Sequence, residues 1–140
     1  MVERWLFLID FQPVFSHPES PWFTPGTTEI GQRLIPLVNR FGDKVLFSRF
    51  VPPTTDPTGS WRPYYRDWPF ALKADPGIWE LDAIWRGRRE IQAPTFHKWT
   101  AEARAILAGA DEIIVAGVAT DCCVLNTVMA AMDDGAHICL

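Results

Sequence analysis

Apolar and polar positions fall in blocks along this chain, and the block lengths predict its elements. Arg4 to Ile9 is an apolar run that closes on Asp10, the pattern of a strand covered on both faces in a parallel sheet. Ile30, Leu34, Leu37, Val38 and Phe41 then recur at helical spacing, with Glu29 favourable in the first turn and Gly42 a natural stop. Pro36 inside that span predicts a kink or a loss of stability. KVLFSRF (44–50) reads as a second strand, REIQAPTFHK (89–98) as a short extended stretch, and TAEARAILAGA (100–110) as a helix capped by Thr100. Last come an apolar strand ending at Gly117, a helical pattern over 121–134 stopped by Gly135, and a further strand, AHICL (136–140), in which Cys139 reads as a core residue. Alternating strands and helices imply an α/β domain with a mostly parallel sheet and helices on its faces.

The blocks dissolve between 51 and 94, where prolines crowd and Trp61, Trp68, Trp79 and Trp85 follow no sustained period. Such a stretch inside a compact domain is usually functional, and short helical turns are expected within it. Its arginines and lysine (Arg62, Arg66, Lys73, Arg86, Arg88, Arg89) are balanced by six carboxylates, so it carries no footprint for nucleic acid. A pocket wall and a subunit contact are the roles that its Trp, Tyr and Arg content fits.

Composition narrows the class. At 140 residues, 48% hydrophobic and 21% charged, the chain fits one globular domain with its own core. A net charge of -4 argues against a nucleic-acid partner. The apolar run before Asp10 is too short for a secretory signal or a membrane span, and the expected location is cytoplasmic. Three cysteines, two of them adjacent, make an odd set without zinc-ligand spacing, and read as reduced thiols.

In open parallel sheets ligands sit beyond the carboxyl ends of the strands. Asp10, Lys98 and the pair Cys122 and Cys123 all fall at or just after such ends. Periodicity alone does not choose between the two cysteines, and either could be simple packing.

The stretches FLIDFQ around Asp10, Lys98 after an extended segment, and GVATDCCV resemble the isochorismatase-like cysteine hydrolases, which include nicotinamidases and N-carbamoyl amidohydrolases. The family hallmark is Thr-Asp-x-Cys-Val, matched by Thr120, Asp121, Cys123 and Val124, with Cys122 at the variable position. The resemblance implies a Rossmann-like three-layer α/β/α sandwich that ends here short of the family's last strand and helix. It implies Asp10, Lys98 and Cys123 as catalytic residues, an oxyanion hole from the Ala119 and Cys123 amides, a cis peptide between Val118 and Ala119, and a homodimer or homotetramer. Its activity would be hydrolysis of a carbon–nitrogen bond in a small amide, carbamoyl or ureido compound through a thioester on Cys123. A cysteine in the first turn of a helix, near an ammonium, has its thiolate stabilised, which fits that role.

Phe15, Arg49, Trp61 and Tyr65 are the candidate substrate contacts, Arg49 to grip a carboxylate and the rings to form an apolar wall. No cofactor is expected. Nicotinamidases in the family hold a metal through an Asp and several His after the second strand, whereas no histidine lies between Phe47 and Phe96 here, so no metal is expected either. His97 beside Lys98 raises the weaker option of a Cys-His dyad. Two alternatives stand beside the amidohydrolase: an isochorismatase-type vinyl ether hydrolase, against which the presence of Cys123 argues, and a non-catalytic oligomerisation or binding module.

Overall fold

The structure, a computed structural model, describes residues 1–140. Five strands, β1 (Arg4–Ile9), β2 (Val45–Phe50), β3 (Glu90–Ala93), β4 (Glu112–Gly117) and β5 (Ile138–Cys139), form one all-parallel sheet in the order β3-β2-β1-β4-β5. The chain order reverses beside β1, so the carboxyl ends of β1 and β4 flank the crevice where ligands bind in such sheets.

The apolar runs work as strands because both faces are covered. Leu6 and Leu8 pack with Val38, Val45, Phe47 and Trp85 under α2 (Thr27–Phe41), following the short helix α1 (Pro13–Ser16). Phe7 and Ile9 alternate onto the opposite cluster with Ala103 and Leu107 of α4 (Ala101–Leu107) and Val128 of α5 (Leu125–Asp133), α3 (Trp61–Asp67) lying between. This is a three-layer α/β/α sandwich. Thr100 caps α4 by accepting from the Ala103 amide at 3.1 Å. The kink expected at Pro36 does not divide α2, which runs through an exposed Pro36.

The excursion after β2 folds into α3 and three 3₁₀ turns, Pro69–Leu72, Pro76–Trp79 and Ala83–Trp85. With residues from α1 it builds a third apolar cluster, Val14, Phe15, Phe50, Tyr65, Trp79 and Val118 among its members, over the strand ends. Gln12 pins it: fully buried, its Nε2 donates to the Phe50 and Trp79 carbonyls at 2.8 and 2.7 Å, and its Oε1 accepts from the Phe50 amide at 2.7 Å. Cys139, expected in the core, is exposed. The edge strand β5 has one neighbour, and alternation turns Ile138 onto the core and Cys139 away from it. No helix is long and apolar enough to cross a membrane.

Candidate active site

Asp10 leaves β1 with φ at 58°, in the left-handed region that Asp tolerates better than most side chains. Its amide still reaches the Ser48 carbonyl at 3.2 Å, and its carboxylate is fully buried. Ser48 Oγ donates to Oδ1 at 2.7 Å. Oδ2 lies 3.0 Å from Lys98 Nζ and takes no well-aimed hydrogen bond, so a lone pair stays free.

Lys98 has zero exposure too, and a buried ion pair needs further partners to offset the desolvation of both charges. It has them. Nζ donates to the Thr95 and Phe96 carbonyls at 2.7 and 3.1 Å and stands 5.2 Å from the centre of the Phe50 ring. The Lys98 amide donates to Thr127 Oγ1 at 2.9 Å, and that hydroxyl donates to the Cys123 carbonyl at 2.7 Å, so the lysine segment is tied to the cysteine turn.

That turn begins where β4 touches β1. Gly117 sits at φ 145°, and a Cβ there would overlap the Ile9 carbonyl oxygen and lie 2.7 Å from its nitrogen, so only glycine fits. The Val118–Ala119 peptide is cis, and Thr120–Val124 makes a wide π turn in which the Cys122 and Val124 amides both donate to Ala119 O at 3.1 Å. Cys123 was expected in the first turn of an α-helix; it sits instead in this π turn, ahead of α5, a type of irregularity common at functional sites.

The expected lowering of its thiol is also corrected. The neighbouring Cys122 thiol, burial and the Asp10 carboxylate all push the Cys123 thiol up, and Lys98 opposes them only in part. The Cys123 thiol in turn holds Cys122 below its ordinary value. Cys123 therefore rests as a thiol, and its reaction needs a base.

A cavity of about 200 Å³, partly open to solvent, lies over the pair. Its wall is Phe15, Trp22, Phe23, Phe50, Tyr64 and Phe96; its floor is Ala119, Cys122 and Cys123. Asp10, Lys98 and Cys123 are thus gathered from three strand ends around one place.

Of the four candidate contacts, only Phe15 lines this cavity. Arg49 shares the strand phase of Phe47, on the α2 side of β2, where it binds Glu90 at 2.8 Å, the Trp79 carbonyl at 3.0 Å and Gln92 Oε1 at 3.0 Å; Ser48 and Phe50 take the cysteine side. Tyr65 is buried within the aromatic cluster, stacked on Trp61 at 5.9 Å, and Tyr64, one helical step away, faces the cavity in its place. Trp61 packs on Phe96 and lines a separate groove with Pro53, Pro57 and Pro94. Sequence reading missed Trp22, Phe23, Phe96, Thr127 and Gln12; Ser48, Phe50 and Tyr64 lie in the candidate stretches FSRFVPP (47–53) and SWRPYYRDW (60–68), from which other residues were singled out. For Ser48 and Phe50 the signal was there, as the strand phase opposite Arg49.

No three His, Cys, Asp or Glu side chains converge anywhere, so the residues present do not fit the metal that the nicotinamidase branch of the resemblance implies. His97 is exposed and its ring makes no hydrogen bond to either cysteine, and His17 pairs at 3.5 Å with Glu19 on the surface.

Comparison with known proteins adds three solved structures of like fold. They are a cysteine hydrolase from Pseudomonas syringae pv. phaseolicola (20% identity, 97% of this chain and 68% of that one, TM-score 0.82), an N-carbamoylsarcosine amidase from Thermoplasma acidophilum (21%, 98% and 80%, 0.75) and a nicotinamidase from Staphylococcus aureus (20%, 99% and 80%, 0.65). At these identities the likeness shows the fold. No curated protein matches by sequence. The isochorismatase domain profile, however, matches residues 4–140, nearly the whole length. The chain therefore belongs to the isochorismatase family of hydrolases.

Proposed function

We propose that this protein hydrolyses a carbon–nitrogen bond of a small amide, carbamoyl or ureido compound through a thioester on Cys123. The observation that carries the reading is the sealed Asp10–Lys98 pair, with a free lone pair on Oδ2, in charge contact with a thiol that rests protonated at the floor of a cavity.

The steps follow from those positions. Asp10 takes the Cys123 proton as sulfur attacks the carbonyl carbon, and the oxyanion forms against the Ala119 and Cys123 amides. The carbon–nitrogen bond breaks as Asp10 returns the proton to the departing nitrogen, leaving a thioester. Asp10 then deprotonates a water that attacks the thioester; collapse expels the sulfur, which recovers its proton, and releases the acid. Lys98 Nζ is already committed to the Thr95 and Phe96 carbonyls and to Asp10. Its part is to hold Asp10 in place and to offset negative charge on the carboxylate and the sulfur.

Ammonia release from a panel of small amides and carbamoyl compounds tests the reading. Cys123→Ala and Asp10→Asn should each lower turnover by about a thousandfold or more while leaving the fold intact, and intact mass after quenching should show an acyl adduct on the wild type alone. Full turnover in either variant would sink it.

The reading includes the cytoplasmic location expected from the sequence. It includes the homodimer or homotetramer implied by the resemblance, to be measured by analytical ultracentrifugation.

A further inference from the structure

The two oxygens of a carboxylate are chemically alike, and the torsion that exchanges them is soft. At Asp10 their surroundings make them different. Oδ1 accepts from Ser48 Oγ at 2.7 Å, while Oδ2 lies 3.0 Å from Lys98 Nζ and keeps a lone pair free. Asp10, Ser48 and Lys98 are all fully buried, so solvent does not even out the difference.

Backbone holds Ser48 where it stands. It lies on β2, a strand paired on both edges: Ser48 is in register with Ile9 of β1 and with Ile91 of β3, and its carbonyl accepts from the Asp10 amide at 3.2 Å. The hydroxyl has a single proton to donate, and the Asp10 carboxylate is the only acceptor the structure gives it. A proton arriving on Oδ1 would displace that hydrogen bond and leave the Ser48 hydroxyl buried without an acceptor, which is costly. A proton arriving on Oδ2 leaves the bond in place.

We propose that Ser48 is a positioning residue for the hydrolysis: its hydroxyl fixes the Asp10 carboxyl group and confines the travelling proton to Oδ2. The proposal rests on the hydrolase reading for the proton's route, from the Cys123 sulfur to Oδ2 and on to the departing nitrogen, then from water to Oδ2 and back to the sulfur. Ser48 itself touches no guest, since it is not among the residues that line the cavity. Its loss should therefore act on turnover and not on substrate binding.

Three full-length variants test it: Ser48→Ala, which lacks the donor, and the matched pair Ser48→Thr and Ser48→Val, which share a shape and differ in the hydroxyl. Ammonia release is followed on the panel compound that the wild type turns over fastest, at a temperature well below the melting point of every variant. Ser48→Ala and Ser48→Val should lose at least about tenfold in kcat with KM within about twofold of wild type, and Ser48→Thr should keep most of its kcat. Packing alone would not separate Ser48→Thr from Ser48→Val. Wild-type kcat in Ser48→Ala, equal losses in the matched pair, or a change confined to KM overturns the proposal and leaves the hydrolase reading standing. No ammonia from the wild type on any compound of the panel overturns both.

Discussion

At the scale of single residues, the adjacent cysteines divide two tasks. Cys123 is buried with its proton favoured by the neighbouring Cys122 thiol and by the nearby carboxylate, while Cys122 is half-exposed at the cavity floor. Removing the neighbouring thiol should loosen the proton. Cys122→Ala is expected to raise the alkylation rate of Cys123 by iodoacetamide at neutral pH several-fold, and to leave ammonia release largely intact. An unchanged rate would show that Cys122 exerts no hold. Ser48→Ala should strand Asp10 Oδ1 without a donor and cost about 1–3 kcal/mol, read from the denaturant midpoint at constant slope. That Asp10, Lys98 and Cys123 come near one another was legible because each falls at or after the carboxyl end of a strand. Arg49, Trp61 and Tyr65 were misplaced because the direction of a side chain depends on strand and helix phase. One step on β2 separates Arg49 from Ser48, and one step on α3 separates Tyr65 from Tyr64.

At the scale of elements, the joint between β4 and α5 decides whether a site exists. Gly117 brings the β4 end against Ile9, one residue before Asp10, and the cis peptide and π turn follow directly. Gly117→Ala combines an unfavourable φ with an overlap against backbone that cannot rotate away, and should destabilise the fold by about 2 kcal/mol or more while abolishing turnover. Thermal melting and ammonia release on the same preparation check both parts. The strands were readable from apolar runs buried on both faces, and α4 from its Thr100 cap. The π turn was not, since it depends on two amides sharing one carbonyl rather than on any side-chain pattern. Nor was the continuity of α2, which tolerates Pro36 on its solvent side.

At the scale of the whole molecule, the aromatic roof ties stability to alkaline pH. Burial pushes Tyr65 from 10.0 up to about 12, and its hydroxyl has no hydrogen-bond partner to favour the ionised form. Tyr64 and Cys123 are raised as well. A raised value means that the folded state holds its proton longer than the unfolded chain. The contribution of Tyr65 is complete below pH 10.0 and is lost as pH climbs through about 12. Melting temperature should fall over that window, and Tyr65→Phe should flatten the fall; an identical slope in the variant would show that the phenol plays no part. The excursion was legible as a break in pattern, and its place over the strand ends only from the fold, since its contacts join residues far apart in the chain, such as Trp22 with Trp79. The absence of any cation in that ring-lined chamber has a last consequence. Under the proposed hydrolysis a neutral amide would become an acid whose anion those walls cannot solvate, so the product should leave readily and be a feeble inhibitor of the next cycle.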